Sequence, residues 1–189
     1  MLHAGLEAAA PFGTAALAAM GICTKINMVP MYVAMGFSQG VMPFISYNYS
    51  SGDHKRMRGA LSFSIKIVEV MLVLSAAAMF FFAGPLVRAF IGDQETVAYG
   101  ARFLRGFCLA QPFLALDFLC VGVFQAVGMG REALVLAILR KAVFEIPLLY
   151  LLNRFFPLYG LPYAQAVTEC VMAAIAVGLV VRFLRGLKK

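Results

Sequence analysis

Lys25, Asp117, Arg140 and Glu169 each lack an opposite charge three or four positions away on either side. All four stand in or beside long apolar runs. A charge at the middle of a bilayer costs at least about 2.5 kcal/mol, so such groups face a protein interior or a wet cavity, pair across helices, or stay protonated. Desolvation penalises the anion of a carboxyl group, and that makes a proton site at neutral pH feasible. Asp117 and Glu169 are therefore candidates for binding and releasing a proton or a small cation. The bland alternative is an ion pair with Arg140 or Lys25 that only fixes helix packing. Lys66 and Glu69, three apart, and Lys141 and Glu145, four apart, can neutralise one another on their own helices.

Other chemistry lacks its residues. Cys23, Cys108, Cys120 and Cys170 sit in apolar runs without C-x-x-C spacing, and His3 and His54 are far apart. Neither a disulfide framework, a metal site nor a catalytic constellation follows, so no enzyme and no cofactor is expected.

The elements that hold these groups are legible in composition. The chain has 189 residues, 62% hydrophobic and 13% charged, with a mean hydropathy of +0.87. An ordinary soluble domain carries about 25% charged residues, so one soluble core could not hide this much apolar surface. A net charge of +7 is strewn between apolar runs, which argues for membrane topology and against nucleic acid.

Ile26–Tyr49 and Val70–Val87 carry no charge, Gly106–Gly130 carries only Asp117, and Phe155–Val181 carries only Glu169. Each is long enough to cross the hydrocarbon. Ala133–Leu152 is counted as a further span because orientation would otherwise not alternate. The expected fold is an all-α membrane lobe of five spans, at about 14–47, 60–87, 103–127, 132–153 and 159–182. A break at Pro11–Gly13 leaves residues 1–11 as the remnant of a preceding helix. Eight basic residues (Lys55, Arg56, Arg58, Arg131, Arg182, Arg185, Lys188 and Lys189) fall on one side, and Arg88, Arg102, Arg105 and Arg154 fall on the other. That bias predicts a multi-pass inner or plasma membrane protein with a cytoplasmic C-terminus.

Helix breakers form a second theme. Pro30, Pro43 and the pair Gly36–Gly40 interrupt the first span, and Pro147 interrupts the fourth. Small residues four apart permit close helix approach, and Pro–Gly interruptions let a span bend around a cavity. Among 17 phenylalanines and 11 methionines, some could line a pocket for greasy aromatic cations, while most face lipid or pack between helices.

The run Met20–Leu61 resembles the second span and following loop of the C-terminal lobe in multidrug and toxic compound extrusion (MATE) transporters. Gly36, Gln39, Gly40 and Pro43 match a G-x-x-Q-G-x-x-P stretch, followed by Tyr47, Asn48, Lys55 and Arg56. Phe124, Gln125, Gly128, Arg140, Ile146 and Pro147 match the loop and fifth span, and the run ending at Glu169 resembles the start of the last. The resemblance implies a two-lobe exporter of cationic and amphipathic compounds, working by alternating access against H+ or Na+. This chain would be slightly less than one lobe, partnered by an N-terminal lobe beyond it. Gln39 and Gln125 become substrate-path candidates. The chain departs from the family at Ser50–Ser51, where family loops read Gly-Ala. Asp117 also lies a few residues out of register with the aspartate of the sodium-coupled branch. Two alternatives stay open: a flippase for lipid-linked oligosaccharides from the related superfamily, and a non-transporting membrane subunit.

Overall fold

The computed structural model describes residues 13–155 and 160–187, so the expected remnant at 1–11 lies outside the described residues. Helix α1 (Thr14–Ser50) begins directly after Gly13, whose φ of 96° is a conformation that side chains disfavour. At about 1.5 Å per residue α1 is about 55 Å long, well beyond the hydrocarbon thickness. Its helical assignment continues through Pro30 and Pro43. Asp53 caps α2 (His54–Phe81) by accepting from the Arg56 N–H at 3.0 Å. A short α3 (Ala83–Arg88) follows, so the span expected at 60–87 is two helices joined at Phe82.

Asp93 opens α4 (Gln94–Cys108), accepting from the Thr96 N–H at 2.9 Å and the Thr96 hydroxyl at 2.6 Å. These donors favour the anion and hold the Asp93 carboxyl below the usual carboxylate range. The single span expected at 103–127 is instead a bent pair, α4 and α5 (Gln111–Ala126), meeting at 47°. Pro112 sits at the start of α5, where its missing N–H costs nothing inside a ladder.

From Gly130 to Phe155 the backbone is helical throughout but not uniformly α. Helix α6 (Gly130–Ile138) passes into a π-helical stretch, Leu139–Glu145, and then into α7 (Ile146–Phe155). Pro147 explains the position of the stretch. It offers no N–H to the preceding turn and its ring crowds the carbonyl four residues back, so the ladder widens just before it, and Ile146 N–H reaches Lys141 O. The last element is α8 (Gly160–Gly186).

Two buried clusters mark opposite ends of the bundle. One gathers Ala16–Cys23 of α1, Met79 of α2, Phe103–Cys108 of α4, Leu149 of α7 and Ala164 of α8. The other gathers Ile45, Met57, Leu61, Val123, Phe124, Leu136 and Val180. The chain thus passes five times between the ends. Helices α1, α2 and α8 are long and apolar enough to cross a membrane singly, and the α4–α5 pair is so as a bent unit. Phe63, Leu74, Phe81 and Tyr150 are among the large apolar side chains left exposed on this bundle, a surface suited to lipid. It is a multi-pass membrane protein.

Helix α5 runs through the centre, packed on α1, α2 and α8. It approaches α1 closely at Gly122, where an added Cβ would collide with Ser38 Oγ. Ser38 Oγ in turn donates to Phe118 O at 2.8 Å. Among the described residues the close packing expected of Gly36 and Gly40 is absent: both are exposed, with nothing near an added Cβ. The small residue that matters lies on the partner helix.

Candidate functional site

Asp117 of α5, Arg140 of the π-helical stretch and Glu169 of α8 converge at the centre of the bundle. Arg140 Nη1 donates to Asp117 Oδ2 at 3.0 Å, and Arg140 Nη2 donates to Glu169 Oε1 at 2.5 Å. Each carboxylate residue is 1% exposed. The Arg140 guanidinium also lies over the Phe118 ring, 4.9 Å from its centroid, adding attraction from the ring face.

Arg140 and Lys141 are neighbours, yet Arg140 turns inward while Lys141 keeps 58% of its side chain exposed and pairs with Glu145 at 2.9 Å. The expected Lys141–Glu145 pair is therefore present. The expected Lys66–Glu69 pair is not: Lys66 is exposed, and Glu69 Oε2 is buried without a hydrogen-bond partner. Lys25, the other possible partner for the carboxylates, lies exposed on α1 with no ion pair among the described residues. Only Arg140 serves both acids.

The cluster is not fully satisfied. Asp117 Oδ1, Glu169 Oε2, Arg140 Nε and Thr168 Oγ are buried without hydrogen-bond partners. Two carboxylates against one guanidinium carry a net charge of −1 when all are ionised. In a low-dielectric interior that excess is costly, and one proton or one monovalent cation removes it. Among the described residues no three His, Cys, Asp or Glu side chains cluster as they would around a metal ion.

Gln39 and Gln125 meet elsewhere. With Met42, Pro43, Ser46 and Ala126 they line an open cavity of about 450 Å³ between α1 and α5. Its lining is neutral. Pro43 belongs to this cavity, whereas Pro30 is buried in mid-helix and Pro147 acts through the backbone of the Arg140 stretch.

One polar pair escapes a search for charge. Gln111 at the α4–α5 bend is 1% exposed, its Nε2 3.5 Å from Asn27 Oδ1 and 3.2 Å from Met79 Sδ, while its Oε1 has no partner. The only available signal was an uncharged amide inside an apolar run, and many such amides face solvent.

Similarity to known proteins agrees with this architecture. The MatE family model matches residues 8–151. The multidrug export protein MepA of Staphylococcus aureus (strain MSSA476) is 31% identical over 176 residues, which is 93% of this chain and 38% of MepA. The chain therefore spans well under half the length of the curated relatives it matches. Among solved structures, the Vibrio cholerae MATE transporter VcmN in its bent form superposes with a TM-score of 0.87 at 23% identity, over 96% of this chain and 41% of that one. An outward-facing multidrug resistance MATE transporter of the MOP superfamily gives 0.90 at 18% identity, over 99% and 42%. The fold is that of part of a MATE transporter, and the chain belongs to the MatE family.

Proposed function

We propose that the chain forms the C-terminal lobe of a cation-coupled antiporter that exports cationic or amphipathic compounds by alternating access, with H+ or Na+ as the coupling ion. The observation that carries this reading is the unbalanced cluster of Asp117, Arg140 and Glu169. A buried group with one negative charge in excess binds an ion when open to one side and releases it to the other. Arg140 pairs with whichever carboxylate is ionised. Cargo at the open cavity and the coupling ion at the cluster exclude one another through the conformational balance, which each shifts only by its differential affinity for the two states. The neutral cavity at Gln39 and Gln125 lies on the substrate path, and an N-terminal lobe beyond this chain faces it.

The orientation proposed from the basic residues has structural support. The α1–α2 loop and the end of α8 share one end of the bundle, where Arg58 Nη2 donates to Leu184 O and the Tyr49 and Phe183 rings lie 6.0 Å apart. This end faces the cytoplasm of the plasma membrane. A lipid-linked oligosaccharide flippase fits less well, because no cation lines the Gln39–Gln125 cavity to hold a diphosphate.

The test is ethidium or norfloxacin export by the full-length protein carrying Asp117→Asn. Export is expected to collapse while membrane abundance is kept. Undiminished export removes Asp117 from coupling, and stable accumulation of the wild type without any efflux favours a non-transporting subunit.

A further inference from the structure

On the outer side of the bundle, α2 and α8 both pack against α5 and leave a groove between them. Leu61 and Ile65 of α2 form one wall, Val177, Val180 and Val181 of α8 form the other, and Cys120 of α5 is at the floor. The cavity measures about 390 Å³, and its only charged lining residues are Arg58 and Lys66. Phe63, 65% exposed, and Leu179, 39% exposed, stand on the same two helices.

The two cations are placed for one ligand. They are eight residues apart on α2, a rise of about 12 Å at about 1.5 Å per residue. The long Lys66 side chain can lift its ammonium toward the level of Arg58. Lys66 makes no ion pair among the described residues. The Arg58 guanidinium is tied to the end of α8 through Leu184 O, while its Nε–H is buried and unpartnered. A guanidinium held at the loop end of the groove, an exposed ammonium that can rise toward it and an apolar wall between their levels suit a hydrocarbon chain headed by a phosphate. A cationic cargo would be repelled. The groove also lies away from the substrate cavity, since Cys120 and Gln125 are five residues apart on α5 and so about 140° around it.

The geometry points to a binding site for an anionic phospholipid, such as phosphatidylglycerol or cardiolipin, from the leaflet on the α1–α2 loop side. Arg58 and Lys66 hold the phosphate and the α2–α8 groove takes an acyl chain.

Native mass spectrometry of the full-length protein, equilibrated with an equimolar mixture of phosphatidylglycerol and phosphatidylcholine, tests this. Wild type should retain the anionic lipid in preference by about 30-fold, and Lys66→Gln, at an exposed position, should lose about fivefold of that. Arg58→Gln with Lys66→Gln should abolish the preference, and Val181→Trp, which fills the groove, should lower retention of both lipids. Arg182→Gln with Arg185→Gln, exposed basic residues at the same end, should leave the preference intact. No preference in wild type, or equal loss in the Arg182/Arg185 variant, overturns the site. Displacement of the lipid by glycerol phosphate at the same molar concentration makes it a free-anion site and overturns the lipid assignment.

Discussion

The α5–π–α8 cluster and the α1–α5 cavity share one helix and differ in almost everything else. Around Asp117 two carboxylates are buried and a guanidinium 12% exposed bridges them, their bonds are made within the chain, and polar atoms are left over. Around Gln39 and Gln125 the surface is open and neutral. A site that binds a small ion needs few ligands and a dry surrounding, and one chain can build it alone. A site that passes varied cargo needs width and weak, adaptable contacts, and here it lies on an open face. The proposed ion site is built within this chain, whereas the proposed cargo path lies on an open face.

Removing Arg140 should separate the two regions most sharply. Arg140→Ala leaves two buried carboxylates without a counter-charge and should destabilise the protein by about 3–5 kcal/mol. Thermal unfolding in detergent would report it as a large drop in Tm. Asp117→Asn, Arg140→Gln and Glu169→Gln together should recover most of that stability while leaving no export. If Arg140→Ala is as stable as wild type, Arg140 does not balance the two buried carboxylates.

A smaller loss is expected where the regions join. Gly122→Val forces α1 away from α5 and should cost about 1–3 kcal/mol, read by the same unfolding measurement. Its export defect should extend to every substrate, because both regions rest on this contact.

Gln39→Ala and Gln125→Ala should leave stability within about 0.5 kcal/mol, since both side chains are exposed. Substrate preference, measured as the ratio of ethidium to norfloxacin export, should change instead. An unchanged ratio with reduced export of both would place these residues outside cargo selection.

The smallest effect concerns acid. Asp93 is exposed, and its carboxyl is held below the ordinary range by Thr96. Its folded value is depressed, so its stabilisation is complete above the ordinary carboxylate value and is lost as pH falls through the folded one. Asp93→Asn should remove this part of the acid sensitivity of Tm and leave export unaltered. An altered pH profile of export in that variant would link the α4 cap to coupling.

Much of this was readable from residue order. Runs without charge fixed the long helices, because a polar group in hydrocarbon is costly wherever the helix points. Gly13 fixed the start of α1, and Lys141–Glu145 paired as four-apart spacing requires. What failed turned on which face of a helix its neighbours cover. Gly36 and Gly40 looked like a packing motif, but Gly122 makes the close approach. Lys66 had an acid one turn away and did not use it.

The sequence by itself determined that Asp117, Arg140 and Glu169 had no local partner, since helix spacing forbids one. Only the tertiary structure decided which of the available cations they share. That choice rests on Arg140 facing inward from the stretch before Pro147 and on the packing of α5 against α8. Helical period is a local property written in one segment. The meeting of three segments at one guanidinium is set by how their surfaces fit, and no single segment carries that information.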